Sequence, residues 1–412
     1  MTLTYCEVKK EFNVTMYILF IGVLLSLLVP GEAYFSVLNV RVELYRLLLL
    51  VAFLLLLIRN QLRHTNYYEY VILLFCVICS VSYLNTKGIS GLQSAIILFL
   101  EVYVCYFFAK VICKSPKFNF QSLLFQIGIA FTCFFILAIF EAKTGFRVTH
   151  VFTANLFGTS TVSHLSEGYI RFGIHRSSVI FAHPILYGVV CATLLPLFIS
   201  AYKGKFKSVF IISLLGGVVL SVSSVALLMV VFQIGVTLIE FLNQKIKVIR
   251  RFVFISGLVL LVAVQLLSQG GVVLFLSTKL ALNPYTAYYR YMQWEFASVS
   301  IFENKLFGLG DSTSWERPGW MVSSLDSYWL TIGVTNGLLA ASSLLVFWLM
   351  ISKFIFSSYL ARQNRVNLSF YLSSASLFFA SFTVDFFDRL QPFSYLFLGL
   401  FVGTLIKEKM DN

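Results

Sequence analysis

Arginine carries the most pointed chemistry in this sequence. Arg171, Arg176, Arg290 and Arg389 lie beside expected helix ends, where a guanidinium fork can grip a lipid-linked pyrophosphate through paired N–H donors. Such a clamp would also stabilise charge developing on a phosphate leaving group. The plainer reading of each is a solvated charge or a contact to a lipid headgroup. Arg171 and Arg176 share one polar segment with Arg147 and with His150, His164, His175 and His183. The histidine spacing fits neither HxxxH nor HxH, and no Asp-x-Asp pair is present to hold a cation against a nucleotide diphosphate. No metal site is therefore predicted. His183 precedes Pro184, a pair that also reads as the start of a helix.

A second polar segment opens a helix at Asn283-Pro284 and closes it near Asn304 and Gly308, by the usual cap and stop signals. Arg290 and Trp294 fall four apart on one face of that helix. Tyr288, Tyr289 and Trp294 could form a platform for the apolar faces of sugars. An interfacial aromatic belt accounts for most of the aromatics here without any ligand.

The elements that must position these residues are membrane helices. Of 412 residues, 59% are hydrophobic and only 12% charged, about half the charge of a soluble domain; the mean hydropathy is +0.87. This excludes a soluble enzyme, a disordered chain, a disulfide-rich secreted domain and a single-span receptor, and predicts an all-α, polytopic membrane protein. Apolar runs predict spans at 13–30, 44–58, 68–84, 92–112, 119–140, 184–202, 252–268, 327–350, 366–384 and 389–406. The stretch 208–242 would make a helix of about 52 Å, too long for one crossing, so it is predicted to fold as a hairpin near Ser221–Ser224. That gives twelve spans.

The net charge of +13 first suggests nucleic acid, but its distribution is that of a topology signal. Lys and Arg crowd one alternating set of short loops, as in Lys203, Lys205, Lys207 and Lys245, Lys247, Arg250, Arg251. The opposite short loops hold only Arg41, Arg46, Lys87 and Arg389. By the positive-inside rule both termini are cytoplasmic, and the two polar segments, residues 141–183 and 269–326, form outer loops on one transmembrane domain. No cysteine falls in an outer loop, so no disulfide is expected there, and Cys76-x-x-Cys79 reads as packing. Glu101 sits mid-span, where a carboxylate costs several kcal/mol unless paired; alone, it reads as structural. Asn336-Gly337 interrupts the tenth span, so that residues 326–335 could form a short lid at the outer rim.

Taken together, these residues resemble the bacterial O-antigen polymerase and O-antigen ligase superfamily. The likeness runs through Arg176-Ser-Ser-Val-Ile-Phe181-Ala-His183-Pro184-Ile-Leu-Tyr-Gly188 and Arg290-x-x-x-Trp294. It continues in Glu303-Asn-Lys-Leu-Phe-Gly308-Leu-Gly310, Asp326-Ser-Tyr328-Trp-Leu330 and Asn336-Gly337-Leu-Leu, with Glu141-Ala-Lys-Thr-Gly145 before them. It covers roughly residues 120 to 350 in order. Two departures are present. The hairpin tip reads Ser221-Val-Ser223-Ser224 without the family's Arg, so no phosphate role is carried to it. Asp326 stands where ligases usually have His, which favours a polymerase.

The resemblance implies a glycosyltransferase that needs no metal or other cofactor. It would move a growing glycan from undecaprenyl pyrophosphate onto a new lipid-linked repeat unit at the outer face of the bacterial inner membrane. Arg176, Arg290 and Arg171 would hold the pyrophosphate, with Arg147, Arg389, Tyr289 and Trp294 as further substrate contacts, and Asp326 or His183 would accept the hydroxyl proton. Its partners would be lipid-linked oligosaccharides, membrane lipids and a chain-length regulator protein, with no nucleic acid. The alternatives are an O-antigen ligase, whose acceptor is lipid A-core, and a flippase for lipid-linked sugars.

Overall fold

The computed structural model describes residues 5–37, 40–62, 66–160, 170–268 and 284–410; His164, Asn283 and the first part of the second polar segment lie outside them. The chain is an all-α membrane protein. Among the described residues six helical stretches are long and apolar enough to cross a bilayer: Tyr67–Ile112, Phe120–Thr144, Ser224–Lys245, Ile249–Leu267, Tyr328–Arg362 and Leu390–Met410. Shorter apolar helices cover Val14–Leu27, Leu44–Ile58, Pro184–Ser200 and Lys207–Leu220.

The helices are α1 (Tyr5–Leu27), α2 (Leu44–Ile58), α3 (Tyr67–Lys87), α4 (Gly91–Phe99), α5 (Cys105–Ile112), α6 (Phe120–Thr144), α7 (Val148–Phe157) and α8 (Pro184–Ser200). They continue as α9 (Lys207–Leu220), α10 (Ser224–Lys245), α11 (Ile249–Leu267), α12 (Pro284–Glu303), α13 (Tyr328–Arg362), α14 (Arg365–Ala380) and α15 (Leu390–Met410). Two small antiparallel hairpins, which hydropathy alone did not indicate, join them. β1 (Tyr34–Val37) pairs with β2 (Val40–Glu43), and β3 (Ile170–Arg171) pairs with β4 (Ile174–His175).

The long apolar runs break where the sequence supplies a reason. Tyr67–Ile112 turns at Gly88, which takes φ 60°, and α4 folds back on α3 with Gly91 against the Tyr83 carbonyl. The 35-residue apolar stretch divides into α9 and α10 around Ser221–Ser223. α6 begins on Asn119, whose side chain accepts from Gln121 and Ser122 N–H, and ends on a left-handed Gly145, the usual polar start and glycine stop. One core runs through the bundle from Phe20 and Leu49 to Leu186, Phe347 and Phe401. By contrast, α11 has no buried residue.

Glu101, isolated in the sequence, is paired in the fold. It lies in a π-helical turn, Leu100–Val104, between α4 and α5. Arg46 Nε reaches it at 2.8 Å and Gln391 Nε2 at 3.2 Å.

The break in α13 is more than a kink. Gly337 has φ 86° and ψ 173°, and Tyr328–Asn336 forms a short buried helix ahead of it. Residues 305–310 lie against the break. Leu309 and Gly310 N–H donate to the Val334 and Thr335 carbonyls at 2.7 and 2.9 Å, and Leu338 N–H donates to the Lys305 carbonyl at 2.8 Å. The backbone groups freed by the break thus find partners, as they must inside a bilayer. A Cβ on Gly308 would stand 2.5 Å from the Val334 oxygen, and one on Gly337 would stand 2.7 Å from the Leu306 oxygen. The piece expected as a rim lid is therefore packed interior, because its apolar face and its carbonyl end are both covered.

The connections that meet at one end of the bundle are those poor in Lys and Arg. Glu32 meets His150, Arg389 meets the Val29 and Pro30 carbonyls, Arg176 meets Ser221, and Ala182 meets Asp388. At the other end Lys110 pairs with Glu69, Gln121 with Ala201 and Lys203, and Arg362 with Glu408.

Candidate functional site

The site is built on a strained segment between β4 and α8. Val179 there has φ 56°, a left-handed conformation that costs a β-branched residue about 1–3 kcal/mol. Glu141, at the end of α6, holds it in place. Its carboxylate accepts the Val179 N–H at 2.9 Å, the Ser178 N–H at 3.2 Å and the Ser178 hydroxyl at 3.1 Å. Arg147 pairs with the same carboxylate at 3.4 Å. This fixes Arg176 at one end of the segment and His183 at the other.

Those two residues open onto a cavity of about 530 Å³. Arg171 reaches it from the β3–β4 hairpin, Thr286 and Arg290 from α12, and Asp326 from just before α13. Thr383–Asp385 and Phe387 of the α14–α15 connection close the far side, with Thr331, Ser323 and Ser324 also exposed to it. Four residues expected to do chemistry, Arg176, His183, Arg290 and Asp326, therefore share one cavity, and Arg171 joins them.

Each arginine is oriented by an oxygen. Arg176 Nε donates to the Ser221 carbonyl at 3.1 Å and Arg171 to the Val222 carbonyl at 3.4 Å. Both contacts fall at the turn between α9 and α10, where helix-end carbonyls lack intrahelical partners. Arg290 Nε donates to Asp326 Oδ2 at 3.2 Å. Burial, followed by repulsion from Arg290, lowers the affinity of Arg171 for its proton; the cavity is therefore cation-rich and favours an anionic ligand.

His183 caps α8 through Nδ1, which accepts the Ile185 N–H at 3.2 Å. Burial lowers its pKa to about 3, with Arg176, Arg147, Arg290 and Arg171 adding to the effect. The ring is neutral, and because Nδ1 is an acceptor its proton sits on Nε2. His183 is thus both the helix start and a cavity-lining hydrogen-bond donor, with little capacity to act as a base.

The remaining expected contacts lie elsewhere. Arg147 is buried on Glu141. Arg389 is 2% exposed, pairs with Glu43 and stacks over the Tyr45 ring. The Tyr289 hydroxyl accepts the Val322 N–H at 2.8 Å, and Trp294 packs against the apolar cluster of Trp315, Met321 and Leu325. Of the three platform candidates Tyr288 is exposed, and none of Tyr288, Tyr289 and Trp294 lines the cavity.

Two further residues shape the site. Gln293, one turn beyond Arg290, donates to the Ser324 carbonyl at 2.9 Å and accepts the Asp326 N–H at 3.1 Å, so it sets the position of Asp326. The spacing i, i+3 from Arg290 was available to find it. Asp385 lies on a short loop between two apolar helices and has no spacing motif; burial raises its carboxyl pKa to about 7, with the Asp326 charge adding to it. Among the described residues no three His, Cys, Asp or Glu side chains cluster as a metal site.

The fold and site together define a membrane-embedded helical protein with an arginine-lined cavity at one end of its bundle. No protein-family model matches the chain, and no curated protein matches it.

Proposed function

We propose that the protein is a polysaccharide polymerase of the bacterial inner membrane. It transfers a growing glycan from undecaprenyl pyrophosphate onto a new lipid-linked repeat unit at the outer face. The observation that carries this reading is the meeting of Arg171, Arg176, Arg290, His183 and Asp326 in one cavity. An anion gripped there by guanidinium forks and an imidazole N–H is a better leaving group, because its developing charge is already compensated. The arginines supply the positive charge that a divalent cation supplies in nucleotide-sugar enzymes.

Topology supports the same reading. Twelve crossings, namely α1, α2, α3, α4–α5, α6, α8, α9, α10, α11, α13, α14 and α15, would leave both termini on the Lys/Arg-rich, cytoplasmic side. The cavity then faces outward, away from nucleotide sugars, so its donor must arrive already activated on a lipid. A carboxylate of the cavity accepts the proton of the attacking hydroxyl.

Deletion of the gene tests the reading. The expected result is surface glycan reduced to single repeat units, with the polymer ladder restored by the wild-type gene and not by Arg290→Ala. An unchanged ladder after deletion overturns the proposal. Loss of all surface glycan with polymer still held on its lipid carrier identifies a ligase instead.

A further inference from the structure

Five carboxylates at the cavity end of the bundle face cations, whereas Glu295, Glu303, Asp311 and Glu316 of the second polar segment make no ion pair among the described residues and do not line the cavity. Glu32 faces His150, Glu43 faces Arg46 and Arg389, Glu101 faces Arg46, Glu141 faces Arg147, and Asp326 faces Arg290. Asp388 makes no ion pair among the described residues, but it accepts the Ala182 N–H at 3.2 Å with Arg41 and His150 nearby. Among the described residues, Asp385 is the one carboxyl that lines the cavity without an ion pair. Thr331 and the Phe386 N–H, the polar groups that act most on its carboxyl, do not neutralise it. It sits on a rigid mount, since the Tyr328 N–H, which opens α13, bonds to the Ser381 and Val384 carbonyls at 3.0 and 3.2 Å.

We propose that Asp385 is the general base of the transfer, the group that takes the proton from the acceptor hydroxyl. The inference rests on the glycan-transfer reading above and names a role within that site. In the step, the acceptor oxygen bonds to the anomeric carbon of the donor sugar, and the bond from that carbon to the pyrophosphate oxygen breaks. The electron pair departs with the pyrophosphate into the arginine cluster, and the hydroxyl proton moves to an Asp385 carboxylate oxygen.

The other candidates are engaged. Asp326 Oδ2 is occupied by Arg290 Nε, so protonating Asp326 would weaken the pair that orients the clamp. His183 Nδ1 is occupied by the Ile185 N–H, and its Nε2 already carries the proton. Burial supports the assignment as well, because it holds the Asp385 carboxyl up at about 7, where a base works best near neutral pH. The groups facing Asp385 are Tyr83 of α3, Tyr328 and Thr331 of α13, and Asp326. Arg171, Arg176, Arg290 and His183 share its cavity.

The test uses the full-length protein in lipid nanodiscs, with lipid-linked repeat units as donor and acceptor. Asp385→Asn is expected to lower kcat by about 100- to 10,000-fold with KM little changed and an unaltered melting temperature. Wild-type kcat is expected to fall as pH drops through about 7, the value to which burial raises Asp385, whereas the residual rate of the variant stays flat. A second readout needs no turnover. The infrared carboxyl band that titrates near neutral pH in the wild type should vanish in Asp385→Asn and shift in Asp385→Glu. Wild-type transfer with Asp385→Asn within a fewfold of it, or a titrating band that survives the substitution, overturns the role of Asp385 alone. A wild-type protein that transfers no glycan overturns the polymerase reading and the role together.

Discussion

Arg290 and Asp326 meet at 3.2 Å, and their exposure differs: the guanidinium side chain is 14% exposed and the carboxylate side chain 38%. The cation is held within the cavity wall while its partner stays open to solvent. An exposed pair of this kind adds little stability, so its main effect is to orient the guanidinium toward the cavity. Arg290→Ala is expected to reduce polymer formation by about 100- to 1,000-fold with little change in melting temperature. Arg290→Lys should recover only part of the loss, because an ammonium cannot bond bidentately. The length distribution of surface glycan on a gel reads both.

Glu141 makes a different kind of contact. It is buried, and it neutralises Arg147 while tying down two backbone N–H groups of the strained segment. Glu141→Ala breaks a buried ion pair, which costs about 3–5 kcal/mol. Thermal unfolding in detergent should show a large drop for Glu141→Ala. The double variant Glu141→Ala/Arg147→Met is expected to regain part of it, because the buried cation is removed along with its carboxylate.

His183 sets an acid limit on stability. Its folded pKa, about 3, lies below the unfolded value of about 6.5, so the unfolded chain binds the extra proton first. The contribution is fully present above about pH 6.5 and is lost as pH falls toward 3. Melting temperature across that window should decline in the wild type. The decline should be shallower in His183→Asn, which keeps a side-chain cap for α8 but does not titrate there.

Gly308 and Gly337 should behave as one unit. Each takes positive φ, and each meets backbone from the other's segment. Alanine at either site adds left-handed strain of about 1–3 kcal/mol and a clash that only backbone movement relieves. Because the two changes disturb the same contact, the double variant should cost less than the sum of the singles. Melting temperatures of the three variants test this directly.

What the sequence revealed and what it hid divide along a physical line. Helix ends and breaks are local, so the division at Ser221–Ser223, the Pro184 start and the Gly337 break could all be read from adjacent residues. Arg171, Arg176, Arg290, His183 and Asp326 were legible because helix ends must gather at the faces of a bundle. The choice of partner is not local. Arg389 and Arg147 looked as available as Arg290, yet Glu43 lies 346 positions before Arg389 in the chain, and Glu141 holds Arg147 through a salt bridge. Glu141 stands six positions before Arg147 and could have announced that pairing, whereas nothing near Arg389 announces Glu43. Asp385 was hidden because it belongs to no motif and its surroundings, Thr331 and Asp326, come from residues more than fifty positions away.

The lacing of residues 305–310 into the broken α13 bears on the order of assembly. A helix inserted with its middle hydrogen bonds missing is incomplete on its own, and the groups that complete it come from the polar stretch translated just before it. Leu309 and Gly310 belong by composition to a loop, but by bonding they are a missing turn of the membrane bundle. Loop and span therefore mature as a single cooperative piece, so the wall carrying Arg290 cannot detach from the wall carrying Asp326 without opening the bundle itself.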